Sequence, residues 1–284
     1  MGYLRHWDLK EKPFEELCDT RFFFESDDHR EALDRMLYVV NDHNMHMGLL
    51  TGEVGSGKTL TKTVFQKSLA KHAFEVVEFA NSHFAFTDIL YDIITRISLT
   101  SRKGSQTNGF DAPSRGDHYM LMNRFKALLE TLFFEEKRHL TLIFDEAQQM
   151  EDSVLDEVKN LTNISSETEN FLTVFFVGQP ELREKIKRLK QIDQRIFLRF
   201  HLNNLDYGNT TKYIFHRLRI AGLENYGIFT TTALEMIFRM TGGVPREINR
   251  LCKLALSYGF AQNLTELSIE DIEVIFEDMR KHER

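Results

Sequence analysis

GEVGSGKT, from Gly52 to Thr59, follows the apolar run MHMGLLT (Met45–Thr51) and precedes a helical pattern at Leu60–His72. The octapeptide fits GxxxxGK[ST] at every fixed position and stands between a buried strand and a helix, where this phosphate-binding motif is found. Glycines let backbone N–H groups turn inward around a phosphate, and the helix offers its positive N-terminal end to the same anion. A chance glycine turn explains neither the match nor its position, so the stretch predicts a phosphate loop within an α/β fold.

The side chains of this loop suggest a nucleotide and a metal ion. Lys58 carries a positive charge suited to the β- and γ-phosphates, and Thr59 carries a hydroxyl suited to Mg²⁺. We therefore expect ATP bound with Mg²⁺. The residues expected to line the bound nucleotide in this part of the chain are Gly52, Glu53, Val54, Gly55, Ser56, Gly57, Lys58, Thr59 and Leu60.

Two adjacent carboxylates end a second apolar run, LTLIFDE (Leu140–Glu146). Asp145 is expected to hold Mg²⁺, directly or through water, and Glu146 to orient and deprotonate the attacking water. A solvated acid pair at a strand end is the alternative, but the phosphate loop lies roughly 90 residues upstream, in the order expected of such enzymes. DEAQ is also similar to the DEAD boxes of helicases, which need a second α/β core for which this chain has no room.

Buried strands alternate with helices through the first two thirds of the chain, which is typical of a parallel sheet covered on both faces. Beyond about Asn203 the patterns are all helical. We therefore predict an α/β fold: a P-loop three-layer α/β/α core with a parallel sheet (29–202), followed by a small all-helical lid domain (203–284). Residues 1–28 form an N-terminal segment. The other predicted strands are Phe74–Ala80, Phe171–Val177 and Arg195–Leu202.

Polar residues that follow the later strands are candidates for contact with the γ-phosphate. Gln179 follows the strand FLTVFFV and is expected to bind the γ-phosphate or the lytic water, although a turn residue before the helix that starts at Pro180 is the alternative. Arg195 and Arg199 are both found in DQRIFLRF (Asp193–Phe200), at the last predicted strand. We favour Arg195 as an arginine finger that reaches a neighbouring subunit, and two surface residues are the alternative.

A third candidate arginine lies in the helical part of the chain. In TGGVPR (Thr241–Arg246) the glycines end one helix and Pro245 starts the next, which places Arg246 in a first turn. A positive charge there is unfavourable to the helix dipole. We therefore expect Arg246 to contact the bound phosphates and to report ATP occupancy as a rotation of the lid.

Composition bounds the remaining possibilities. The net charge is −7, with 36 basic and 43 acidic side chains, so bulk charge does not attract the molecule to nucleic acid. The two cysteines, Cys18 and Cys252, form no CxxC pair, and no run of about 18 apolar residues suggests a membrane span. We expect a cytoplasmic protein, or one held at the inner membrane by a partner. The polar stretch Ser101–His118 predicts a flexible insertion, which could alternatively line a ring pore and touch DNA.

Several further motifs stand along the chain. They are YLRHWDLKEKPF (Tyr3–Phe14), HREAL (His29–Leu33), DEAQ, VGQPEL (Val177–Leu182), DQRI (Asp193–Ile196), YIFHRLRIAG (Tyr213–Gly222) and GGVPREINRLC (Gly242–Cys252). With the phosphate loop, they resemble the ExeA/GspA/MshM family of bacterial AAA+ ATPases over nearly the whole chain outside Ser101–His118. That family is related to the transposition ATPases TnsC and TniB, which assemble on DNA.

The resemblance implies that Tyr3–Arg30 folds over the adenine, that Gln179 is sensor one, that Arg195 is the finger and that Arg246 is sensor two. It also implies an ATP-promoted homo-oligomer, either a ring or a filament. ExeA and GspA proteins continue into a membrane span and a periplasmic domain, so we expect here either a stand-alone, MshM-like protein or a shortened chain.

Three functions follow as hypotheses. The first is an ATPase that remodels or recruits a protein partner of secretion or pilus machinery. The second is a DNA-bound ATP switch of transposition, with duplex DNA as a partner. The third is a nucleotide-dependent interaction module with negligible turnover, which the presence of Glu146 and Arg195 disfavours.

Overall fold

Five strands form one sheet, and each lies where the apolar runs predict it. In the computed structural model, which describes residues 2–16, 18–42, 44–80, 83–100, 117–224 and 227–281, the spatial order is β2-β3-β4-β1-β5. The β1–β4, β3–β4 and β2–β3 pairs are parallel. The strands are β1 (Met47–Gly52), β2 (Phe74–Phe79), β3 (His139–Phe144), β4 (Leu172–Gly178) and β5 (Ile196–Leu202).

Twelve α-helices are found among the described residues. They are α1 (Tyr3–His6), α2 (Asp27–Asn41), α3 (Lys58–Ser68), α4 (Phe86–Thr100), α5 (His118–Glu130), α6 (Asp152–Leu161), α7 (Pro180–Arg188), α8 (Lys190–Asp193), α9 (Tyr207–Ile220), α10 (Thr231–Thr241), α11 (Pro245–Ala261) and α12 (Ile269–Lys281). No helix in these described ranges is long and apolar enough to cross a bilayer. Residues 101–116 of the predicted flexible insertion lie outside the described part of the chain.

Two predicted helices end earlier than their patterns suggest. The helix predicted for Leu60–His72 stops at Ser68, because the backbone N–H groups of Ala73 and Phe74 both bond to Ala70 O in a tight turn before β2. The pattern from Tyr119 to Glu135 predicts a second helix, and this helix changes to π-type winding over Thr131–Glu135. Both differences concern the winding of a last turn, which apolar spacing does not specify.

The sheet is covered on both faces. Every residue of β1, β3 and β4 is buried, as expected of central parallel strands. Val174 and Phe176 of β4 belong to an apolar cluster that includes α4, α5, α6 and α7. Phe175 points to the other face and meets Phe65 of α3, with ring centroids 5.2 Å apart. A helix on each side of the sheet gives the predicted α/β/α layering.

The chain divides into two compact units. One contains the sheet and comprises residues 31–52 and 64–201, and the other comprises residues 1–30, 53–63 and 202–284. The second unit therefore unites the phosphate loop, the N-terminal segment and the C-terminal helices. Each unit has its own apolar core.

The N-terminal segment is part of the helical core, although its sequence lacks clean periodicity. Trp7 and Phe14 are buried in that core, and the Trp7 ring Nε1–H donates to Leu256 O at 2.8 Å. Arg217 of α9 is buried and fastens the same segment, since it donates to Pro13 O at 2.6 Å and to Glu15 O at 2.9 Å. The segment is thus held by hydrogen bonds between side chains and backbone carbonyls, which no sequence pattern predicts.

Candidate functional site

The phosphate loop adopts backbone conformations that require glycine. Gly55 and Gly57 have φ values of +83° and +100°, which lie in the left-handed region. The helix α3 begins at Lys58, directly after this turn, so its first N–H groups open toward the loop. Lys58 is only 7% exposed, and its Nζ donates to Glu53 O at 2.7 Å across the loop. The loop therefore offers both N–H groups and a positive charge to an anion.

His29 supports this loop from the N-terminal segment. Its ring is 5% exposed, its Nε2 lies 3.1 Å from Ser56 O and its Nδ1 lies 2.6 Å from Ser26 Oγ. Because a carbonyl oxygen only accepts, Nε2 carries the proton and donates to Ser56 O, and the neutral ring accepts at Nδ1 from the Ser26 hydroxyl. A Cβ at Gly57 would come within 2.8 Å of His29 Nε2, so the glycine also makes room for the ring.

The buried His29 ring makes stability depend on pH. Burial lowers the pKa of His29 from its ordinary value of 6.5, opposed by the bond to Ser56 and by the nearby Asp28 carboxylate. Below about pH 6.5 the unfolded chain takes up a proton that the folded chain still refuses. The free energy of unfolding therefore falls as the pH drops through this range, by about 1.4 kcal/mol for each unit of lowered pKa.

We expect His29→Gln to flatten that dependence, because glutamine keeps an N–H donor but does not titrate. Urea unfolding at pH 7.5 and at pH 5.5 measures the change for both proteins. Some dependence remains in the variant, since burial also lowers the pKa values of His46 and His216. Equal losses of stability in the variant and the parent would show that His29 contributes nothing.

Arg246 lies against the loop within the same compact unit. Its backbone N–H donates to Gly55 O at 3.3 Å, and a Cβ at Gly55 would come within 2.6 Å of Arg246 Cβ. Its side chain is half exposed and is 3.9 Å from Glu16, so this ion pair holds it weakly. The sequence placed Arg246 in the first turn of a helix, and the structure adds that this turn contacts the phosphate loop.

A small cavity adjoins the loop in this unit. Phe23 and Phe24 contribute aromatic rings to it, and it is lined by Phe23, Phe24, His29, Gly57, Leu60, Leu205, Tyr213 and Pro245. Trp7 and Phe14 of the N-terminal segment do not line this cavity and are packed in the helical core. Aromatic and aliphatic side chains therefore line the space directly beside the phosphate loop.

The acid pair follows β3 in the sheet-containing unit. Asp145 is buried and accepts a hydrogen bond from Glu146 N–H at 3.0 Å. Glu146 has a φ of +50°, an uncommon conformation for a residue with a side chain. Its Oε2 accepts from Gln148 Nε2 at 2.6 Å and from Gln179 Nε2 at 3.2 Å. The structure thus brings the predicted base and the predicted sensor together.

Strand order places these residues at one edge of the sheet. β1 and β3 both pair with β4 in parallel, so the carboxyl ends of the three strands lie side by side. The phosphate loop leaves the end of β1, Gln179 follows β4, and Asp145 follows β3. Ligands of open parallel sheets bind outside this edge.

The two candidate fingers differ in what holds them. Arg195 directly precedes β5, and its Nη1 donates to Thr162 Oγ1 at 2.9 Å, beside a surface cavity that Phe197 also lines. Arg199 lies within β5, and its Nη2 is 2.7 Å from the carboxylate of Asp193. A neutral hydroxyl restrains a guanidinium less than a carboxylate does, which favours Arg195 as the mobile group.

Two residues that contact the candidate site were not assigned roles by sequence reasoning. His29 stood in the HREAL motif without one, and Gln148 stood in DEAQ without one. The only sequence signal for either residue was its position: His29 lies near the start of a helix, and Gln148 lies two residues after Glu146. α7 also carries the basic residues Arg183, Lys185, Lys187 and Arg188. Two of them have partners within the chain, since Lys185 donates to Met150 O and Lys187 is 2.8 Å from Glu184.

Comparison with known proteins decides the family. A model of the AAA domain matches residues 41–186, just over half of the chain. The chain belongs to the AAA domain family. This match starts before β1 and ends in α7, so it contains the phosphate loop, the acid pair and Gln179. Membership of this family implies that the chain binds a nucleotide.

One relative of this chain supports the narrower resemblance. The General secretion pathway protein A of Aeromonas hydrophila is 32% identical over 272 residues, which cover 95% of this chain and 47% of that protein. The chain thus spans about half the length of this relative, and the resemblance to the ExeA/GspA/MshM family is confirmed.

Solved structures confirm the predicted fold class. The Aeropyrum pernix ORC2 protein in ADPNP–ADP complexes gives a TM-score of 0.66 at 18% identity, covering 95% of this chain and 71% of that one. Drosophila ORC bound to DNA gives 0.63 at 16% identity, covering 98% and 66%. At these identities the likeness concerns the fold alone.

Proposed function

We propose that this AAA domain binds ATP with Mg²⁺ and hydrolyses it in a homo-oligomer, and that hydrolysis drives the remodelling or recruitment of a protein partner. The observation that carries the proposal is the strand order. It brings the end of β1, from which the phosphate loop departs, to the same sheet edge as Gln179 and Asp145. A hydrolytic site needs an anion cradle, a metal ligand and a base, and all three kinds of group follow these strands.

Each residue has a role that its chemistry supports. The N–H groups of the phosphate loop and Lys58 bind the β- and γ-phosphates, and Arg246 adds a charge beside Gly55. The hydroxyl of Thr59 and the carboxylate of Asp145 fit Mg²⁺, which takes one or two protein oxygens and otherwise keeps waters and phosphate oxygens. Bound there, the ion would neutralise charge on the phosphates.

Glu146 is proposed as the base that removes a proton from the attacking water, and Gln179 as the group that orients it. The two bonds to Glu146 both end on Oε2, so Oε1 is the oxygen we assign to the water proton. The water then attacks the γ-phosphorus in line with the β–γ bridging oxygen, which leaves with ADP. In this step the protein accelerates the reaction by positioning the water and the γ-phosphate, and it forms no covalent bond to the substrate.

The variant Glu146→Gln tests this assignment. We expect it to bind ATP as tightly as the parent and to lose hydrolysis about 10²- to 10⁴-fold, because only proton removal is lost. Phosphate release and equilibrium nucleotide binding measure the two effects separately. Glu151→Gln is a matched control, since that side chain is exposed on the same connection and is expected to leave both values unchanged. Full hydrolysis by the Glu146 variant would assign the base elsewhere.

The partner and the setting are proposed from the relative. General secretion pathway protein A is named for secretion, so we propose that this AAA domain acts in bacterial envelope machinery such as secretion or pilus assembly. It would work on the cytoplasmic side and reach the inner membrane through its partner. Pull-down from membranes with the ATP-retaining Glu146→Gln variant would test this, since ATP is expected to hold the complex together.

A further inference from the structure

The amide of Gln148 bridges the ends of two strands. Its Oε1 accepts from the backbone N–H of Gln179 at 3.2 Å, and its Nε2 donates to Glu146 Oε2 at 2.6 Å. The two partners fix the direction of this amide. A backbone N–H only donates and an ionised carboxylate only accepts, so the amide nitrogen must face Glu146.

The surroundings of Gln148 leave this amide little freedom. Lys185 Nζ donates to Gln148 O at 3.3 Å and also to Met150 O, which pins the turn that carries the side chain. A Cβ at Gly178 would clash with Gln148 Oε1 and would approach Leu182 Cδ2 to 2.9 Å, so the glycine at the end of β4 makes room for the amide in this position. The position of the Gln148 amide therefore depends on the turn after β3 and on the end of β4.

We infer that Gln148 is a positioning residue for ATP hydrolysis. It holds Glu146 Oε2 through a charge-assisted bond and leaves Oε1 directed to the water, while its other end fixes the backbone of the sensor Gln179. This inference rests on the proposed function, in which Glu146 activates water. Gln148 does not touch the reacting atoms, so its effect passes through the Glu146 carboxylate.

Two different roles for Gln148 would give different rates in its variants. If Gln148 only fills space in the turn, glutamate of the same shape would replace it well and alanine would not. If the two amides restrain Glu146 in an unreactive position, removing one would raise the basal rate. A positioning role predicts a reduced rate in both variants and the lower rate in Gln148→Glu, because a carboxylate beside Glu146 replaces a donor by a like charge.

The experiment compares steady-state ATP hydrolysis by the full chain with Gln148→Ala, Gln148→Glu and Gln149→Ala. Gln149 is the neighbouring glutamine, and its side chain is exposed. We expect kcat to fall about 10-fold in Gln148→Ala and further in Gln148→Glu, with KM for ATP within about twofold of the parent. Gln149→Ala should match the parent. Thermal unfolding of each protein identifies any variant that has lost its fold.

The outcomes separate this inference from the proposed function. A parent protein that hydrolyses ATP while Gln148→Ala and Gln149→Ala behave alike overturns the positioning role and leaves the function standing. A rate in Gln148→Glu near that of the parent, or a raised kcat in Gln148→Ala, also overturns it. A folded parent that binds ATP without hydrolysing it contradicts the proposed function, and the inference fails with it.

Discussion

Lys58→Ala is expected to abolish ATP binding. The ammonium of Lys58 lies across the phosphate loop and is nearly buried, so it would meet a bound triphosphate largely shielded from water. Truncating one partner of a buried charge pair costs about 2 to 5 kcal/mol or more, and the upper part of this range is an affinity loss of more than about 10³-fold. Titration of a fluorescent ATP analogue in the presence of Mg²⁺ measures the change directly.

A matched variant separates the charge from the helix that carries it. Lys67→Ala removes an exposed lysine from the last turn of α3 and is expected to bind nucleotide like the parent. Thermal unfolding should show both variants folded without nucleotide. Added ATP should raise the melting temperature of the parent and of Lys67→Ala only, because a ligand stabilises just the proteins that bind it. Tight binding by Lys58→Ala would show that ATP binds somewhere other than the phosphate loop.

Arg195→Ala is expected to spare ATP binding and to reduce hydrolysis about 10³- to 10⁵-fold, the contribution of an arginine finger. The side chain must leave Thr162 Oγ1 to reach a neighbouring subunit, and that bond is to a neutral group. Arg199→Ala is the matched control, because Arg199 is held by Asp193 in the same part of the chain. Phosphate release at saturating ATP distinguishes the two arginines, and an unchanged rate in Arg195→Ala would place the finger elsewhere.

Mixing two inactive proteins tests whether the finger acts on a neighbour. Subunits with Lys58→Ala keep a finger but bind no ATP, and subunits with Arg195→Ala bind ATP but lack a finger. A mixture should recover part of the activity, because some interfaces combine an intact loop with an intact finger. Recovery requires that both proteins enter one oligomer, which light scattering of the mixture checks. Co-assembly without any recovery would contradict a finger supplied in trans.

The sheet could be predicted from the sequence because its central strands are apolar along their whole length. Runs such as His139–Phe144 are buried on both faces of the sheet, which their continuous apolar sequence predicts. The phosphate loop could be predicted for a similar reason, since two of its glycines have backbone angles that other residues rarely adopt. Strand burial and positive φ angles each restrict the residue type at a given position, so both can be read from the sequence.

The supporting contacts were not predictable in the same way. Gln148 and His29 act on backbone groups of residues that lie 27 to 31 positions away in the chain. The partner groups are a backbone carbonyl and a backbone N–H, and every residue except proline has both. The residue type of the partner therefore gives no sign of either hydrogen bond. The contacts that anchor the N-terminal segment could not be predicted for a related reason. Its anchors, Trp7 and Arg217, bond to backbone carbonyls rather than to complementary side chains.

Phosphate release by the parent protein, with ATP and Mg²⁺ and then with EDTA in excess, is the decisive measurement for a magnesium-dependent ATPase. We predict steady turnover with Mg²⁺ and its loss in EDTA, because the hydroxyl of Thr59 and the carboxylate of Asp145 are the proposed ligands of the ion. Turnover that persists in EDTA, or none at any protein concentration from a folded parent with Mg²⁺, would contradict the proposed function.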